Sequence, residues 1–147
     1  MLGFFCKLLK KVYIIIVILI NENTSNTVIL TLSEKTTLVN VNYLFEVYND
    51  MTNIYKYFIA QDLSGNKGRY NEFNIIESTM ENLLGGRINL ITEGFYKYNV
   101  YEQASPTNLN PLLALNLIDK GKLKFVKATT SNVVYTGNQI NYVEYGG

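Results

Sequence analysis

From Thr27 onward, polar and apolar positions alternate in short runs separated by clusters of Asn, Gly, Ser and Asp. A period of two places successive side chains on opposite faces of an extended strand. Val28, Leu30 and Leu32 share one face of the first run, and residues 40–42 mark a turn after it. Tyr43, Phe45 and Val47 then line one face, opposite Glu46. Residues 49–53 (NDMTN) read as a hairpin loop, with residues 54–61 returning as the partner strand. A second loop, residues 64–68 (SGNKG), precedes a strand in which Phe73 and Ile75 alternate with Glu72 and Asn74. Residues 77–84 are the one stretch that reads as a helical turn or two, ended by Gly85-Gly86. Residues 88–90 make a short strand, and Thr92-Glu93-Gly94 leads into the strongest strand pattern, residues 95–102 (FYKYNVYE). A long loop over residues 104–116 holds the only two prolines, Pro106 and Pro111. Residues 122–127 alternate again, and residues 133–145 read as a closing hairpin.

This amounts to about eight to ten short strands and at most one short helix. No helix–strand alternation supports a parallel sheet, so the pattern predicts an all-β, antiparallel sandwich or barrel. One spacing is more specific. Leu90, Gly94 and Tyr96 put an apolar residue at a strand end, a glycine at a bend and a tyrosine two residues later. An immunoglobulin-like sandwich turns from one sheet to the other this way, with the tyrosine hydroxyl reaching back to backbone. That spacing selects the immunoglobulin-like sandwich; an amphipathic strand after a glycine turn is the simpler alternative. Composition agrees with strands: Ile and Tyr favour them, and the 19 Asn favour turns.

The first twenty residues stand apart. Lys7, Lys10 and Lys11 precede an unbroken apolar run, residues 12–20 (VYIIIVILI). A basic start and a short apolar stretch suit an export signal, but no small-x-small cleavage site follows. The run is far shorter than the roughly 20 apolar residues of a spanning helix. Seven of its nine residues are β-branched, which favours a first strand. The chain therefore divides into an N-terminal extension, residues 1–20, and a sandwich domain, residues 21–147. The extension is a first strand or a signal-like or anchor-like segment, with membrane contact through residues 12–20 the less favoured option. Its removal is expected to leave the rest folded.

Candidate chemistry is sparse. The sequence has no His, so it has no Ser-His-Asp triad, and its lone Cys6 excludes an internal disulfide and a Cys-based zinc site. Phosphate-cradling glycine motifs and a calcium loop are missing, and the Gly65–Gly68 stretch reads as a plain turn. A net charge of +1 gives no basic surplus to hold a nucleic acid. Glu102, Asp62 and Glu72 are candidate carboxylates for glycoside hydrolysis, but no spacing brings a pair together. Neither a catalytic residue nor a metal or cofactor site is expected. The remaining anomaly is twelve tyrosines. Tyr48, Tyr57, Tyr101 and Tyr145 occupy positions that can face outward, as at protein–protein contacts; cross-strand pairing within one chain is the alternative.

Residues 26–38 (NTVILTLSEKTTL), 43–46 (YLFE), 57–62 (YFIAQD), 94–111 (GFYKYNVYEQ-x-S-x-TNL-x-P) and 117–124 (LIDKGKLK) resemble small β-sandwich structural proteins of tailed bacteriophages. The phages concerned are crAss-like and related phages of Bacteroidota. The resemblance covers roughly residues 24–145 and rests on strand and loop words, with no catalytic signature. It implies a virion component without enzymatic activity — a head decoration, neck or tail protein — whose partners are other virion proteins or further copies of itself.

Overall fold

The structure, a computed structural model, describes residues 17–128. Its strands are β1 (Val17–Asn21), β2 (Ser25–Leu30), β3 (Asn42–Asn49), β4 (Ile54–Ala60), β5 (Asn71–Glu77), β6 (Arg87–Ile88), β7 (Gly94–Gln103) and β8 (Asn116–Val126). They build two sheets, one ordered β1-β8-β7-β3-β4 and the other β2-β5-β6. The protein is an all-β sandwich. Its core follows from the alternation: Tyr43, Phe45 and Val47 of β3 and Tyr96, Tyr98 and Val100 of β7 are buried on one face. Val28 and Leu30 of β2 and Phe73 and Ile75 of β5 meet them from the other sheet. Aromatic rings tie the layers. Phe45 stacks on Phe58 at 5.1 Å and takes Phe73 edge-on at 5.1 Å. Full burial of each such side chain contributes about 1.5–3 kcal/mol.

The hairpin over residues 49–53 joins β3 to β4, as the alternation predicts. Four features depart from the sequence reading. First, the sheets are mixed and not purely antiparallel, because β1 runs parallel to β8 and β6 parallel to β5. Strand β1 lies at the edge beside β8, and the chain then crosses to the opposite sheet as β2. Second, residues 77–84 are not helical. Backbone N–H groups of Ile76 and Ser78 donate to Gly86 and Ile88, which keeps this stretch extended before it turns. Among the described residues the one 3-10 turn is Pro111–Leu113, with Pro111 at its start and Asn110 capping the Leu112 N–H. Third, β8 begins at Asn116, six residues before the expected strand, and a bulge between Val100 and Tyr101 absorbs the register change. Fourth, the run over residues 12–20 ends in a first strand, one of its expected readings, but the division at residue 20 falls inside that strand, whose Ile18 and Ile20 lie in the core. The expected hairpin over 133–145 lies outside the described residues.

Candidate functional site

The turn into β7 has a tight local construction. Leu90 is buried, Gly94 holds φ at 132°, and the buried Tyr96 donates its hydroxyl hydrogen to the Thr92 carbonyl at 2.6 Å. Burial pushes the Tyr96 hydroxyl above its ordinary pKa, against the opposing pull of the Thr92 bond. The arrangement clamps the bend between the sheets.

Three connections meet at one end of the sandwich: residues 31–41, 61–70 and 104–115. Each is held by polar side chains, Glu102, Asn71 and Gln103 buried and Asp62 half-buried. Glu102, at the end of β7, is fully buried. Its Oε1 accepts the Thr37 and Leu38 N–H groups at 2.8 and 3.2 Å; its Oε2 accepts the Thr37 hydroxyl at 3.0 Å and the Asn116 amide at 2.9 Å. Burial opposes its charge, but the Asn116 and Thr37 donors outweigh it and hold the carboxyl below its ordinary value. Asn71 accepts the Leu32 N–H at 2.7 Å and donates to Asp62 at 2.7 Å. Asp62 also accepts the Ser64 and Glu72 N–H groups. Gln103 donates to the Ser105 and Asn108 carbonyls and accepts the Asn108 amide. Thus Glu102 and Asp62, two of the three candidate carboxylates, serve as loop anchors.

A cleft of about 550 Å³ opens between these loops, lined by Thr36, Val39, Asn42, Tyr43, Asp62 and Lys67 among others. The Tyr43 hydroxyl lies 3.0 Å from Thr36 Oγ1. Burial raises its pKa, the Thr36 bond opposes this, and the Asp62 and Glu102 charges add to the rise. The lining mixes polar and apolar groups, and Val39 is 94% exposed.

The outer face of the five-stranded sheet carries the tyrosines. Tyr48 stacks on Tyr55 at 5.1 Å and 10°, and Tyr55 on Tyr57 at 6.3 Å and 15°. Beside them the Glu46 carboxylate accepts the Asn99 amide at 2.7 Å and the Tyr101 hydroxyl at 3.2 Å. Burial, then the Glu46 charge, raises the pKa of both Tyr57 and Tyr101. So Tyr48, Tyr57 and Tyr101 share one face, partly buried and with the rings of the first two in a single row with Tyr55. Tyr145 lies outside the described residues. Sequence reasoning missed Tyr55, 48% exposed in the middle of the row. The period of two that places Tyr57 outward places Tyr55 there as well. The loop anchors gave no such signal, because their partners lie far away in the chain.

Among the described residues, no group of three His, Cys, Asp or Glu side chains is placed to hold a metal. No helix among them is long and apolar enough to cross a membrane. No protein-family model matches this sequence, and neither a curated protein nor a solved structure matches it.

Proposed function

We propose that this protein is a non-enzymatic assembly module, a structural component of a tailed-phage virion such as a head decoration, neck or tail protein. The observation that carries the assembly reading is the stacked row Tyr48-Tyr55-Tyr57 on the outer face. Flat tyrosine rings on a rigid sheet offer large contact area at low entropy cost, with hydroxyls for the wet rim. The virion setting is what the resemblance over residues 24–145 implies. The finer fold reading is immunoglobulin-like, supported by two features. The order β8-β7-β3 faces β2-β5, and a tyrosine corner opens β7. The partners in this reading are other virion proteins and further copies of this chain.

The test is mass spectrometry of purified particles, together with incorporation of a Tyr48→Ala/Tyr55→Ala variant. Wild-type peptides at stoichiometric levels and reduced incorporation of the variant are expected. Particles that hold their other structural proteins but lack this chain overturn the virion reading. Recovery in a cell-envelope fraction instead supports the rival, an exported or membrane-anchored bacterial surface binding module.

A further inference from the structure

The same outer face is electrostatically uneven. Lys120, Lys122 and Lys124 alternate along β8, so all three point outward. Lys97 of β7 stands directly opposite Lys122. Like charges directly opposite one another on neighbouring strands are destabilising, so this arrangement works against the fold it sits on. Two of the four lysines have local partners. Lys97 pairs with Asp50 at 2.7 Å, and Lys124 lies over the Phe95 ring at 5.4 Å. Lys120 and Lys122 make no ion pair among the described residues. Nearby acids are engaged elsewhere: Glu46 by Asn99 and Tyr101, and Asp119 by Lys35.

Between these lysines the surface dips. A hollow of about 300 Å³ is lined by Tyr48, Lys97, Asn99, Lys120, Gly121 and Lys122. Its wall includes the end of the tyrosine row, and its rim is cationic. We propose that this hollow docks an acidic segment of a partner protein, with carboxylates on Lys120 and Lys122 and an adjoining apolar side chain against Tyr48. The proposal deepens the assembly reading of this face and rests on it. Charge complementarity sets the partner's sign, and a carboxylate on Lys122 offsets its repulsion with Lys97. A peptide fits better than a nucleic acid. The whole chain carries only +1, and the lysine cluster is confined to two strands with Asp50 at its border. A long polyanion needs an extended basic track.

Fluorescence anisotropy of the full-length protein with a labelled Glu/Tyr-rich peptide tests this. The comparison arms are a single-stranded oligonucleotide of equal charge and vesicles containing an anionic phospholipid. Peptide binding is expected at about 0.02 M salt and should weaken strongly by about 0.3 M. Lys120→Glu/Lys122→Glu should weaken it about tenfold or more, since it replaces two attractions by repulsions. The control Arg69→Glu/Lys127→Glu, with the same charge change away from this face, should bind like wild type. Thermal melts check folding, and Lys120→Gln/Lys122→Gln, expected to lose about threefold, replaces the reversal if that unfolds. Equal binding by wild type and the lysine variant overturns the proposal, as does tighter binding of the oligonucleotide or the vesicles. Particle incorporation separates the two readings: a tyrosine variant that fails to incorporate beside a lysine variant that incorporates normally leaves assembly standing and removes only the acidic partner.

Discussion

Glu102 offers the most searching test of how the loop end is held. Its carboxylate is fully buried and receives four hydrogen bonds, two of them from fixed backbone N–H groups. Glu102→Gln keeps the shape and one carbonyl oxygen, which can serve the Thr37 and Leu38 N–H groups. The new amide then faces the Thr37 hydroxyl and the Asn116 amide, which can each turn to accept. What is lost is mainly the charge, so about 1–2 kcal/mol is expected. Glu102→Ala instead strands two backbone donors, at about 1–3 kcal/mol each, and removes buried side-chain volume; about 3–5 kcal/mol is expected. Urea unfolding followed by circular dichroism measures both, with an unchanged m-value as the check on two-state behaviour. The pH dependence adds a sign. The folded carboxyl titrates below the ordinary glutamate value of 4.5. Its contribution is therefore present above that value and is lost as pH falls through the lower folded value. The gap between wild type and Glu102→Gln should narrow as pH drops below 4.5. A Gln variant as stable as wild type at neutral pH, or a gap that persists undiminished in acid, refutes the reasoning.

Tyr96→Phe removes the 2.6 Å bond to Thr92 and should cost about 1 kcal/mol, read as a lower melting temperature with unchanged secondary structure. Gly94→Val forces a β-branched residue to a φ of 132° and should cost about 1–3 kcal/mol or more, although there is open space for the side chain. Gly65→Val, at a glycine with open space and no positive φ, should melt close to wild type; equal losses at the two glycines would contradict the backbone argument.

Much of the fold is legible in the sequence where the interaction that sets it is local. Val28/Leu30, Tyr43/Phe45/Val47 and Tyr96/Tyr98/Val100 declare their inward faces because a half-buried strand must alternate. Long-range geometry is not legible in this way. Nothing near Val17 says that its partner is Lys122, or that the two strands run parallel. Residues 77–84 mislead because Gly85-Gly86 reads as a helix end, while Glu77 gives no local sign of its role. In the fold it is a buried strand-end acceptor for the N–H groups of Asn23 and Leu90. Glu102 reads as a solvated strand-end acid because its backbone donors lie 64 and 65 residues earlier. The lysines of β8 alternate visibly, but their meeting with Lys97 and Tyr48 depends on the order of β8, β7 and β3 in the sheet. The candidate surfaces therefore follow from topology, and the sequence supplies only their residue types.

The place of residues 17–20 can be decided by the periodicity of their energetic effects. Export-signal, anchor and strand readings all accept this apolar run, and the sequence alone predicts that its removal with residues 1–16 is harmless. In the sandwich, Ile18 and Ile20 are 4% and 0% exposed, while Leu19 between them is 52% exposed. Five residues of β1 pair with β8, and the Glu22 N–H extends the contact to the Val126 carbonyl at 2.9 Å. The turn that follows is fixed by buried Asn26, which accepts the Asn21 N–H and donates to the Thr24 and Ile75 carbonyls. Residues on such a strand should respond with a period of two. Ile18→Ala and Ile20→Ala should each cost about 2–5 kcal/mol, and Leu19→Ala less than about 1 kcal/mol. A signal or anchor segment predicts no such alternation, because its side chains make no core contact in the folded domain. Deleting the run to residue 20 removes both isoleucines and uncovers the edge of β8, so aggregation or a molten product is expected in place of a folded fragment. Equal, small effects of Ile20→Ala and Leu19→Ala on urea unfolding would remove β1 from the core and restore a domain that begins after it.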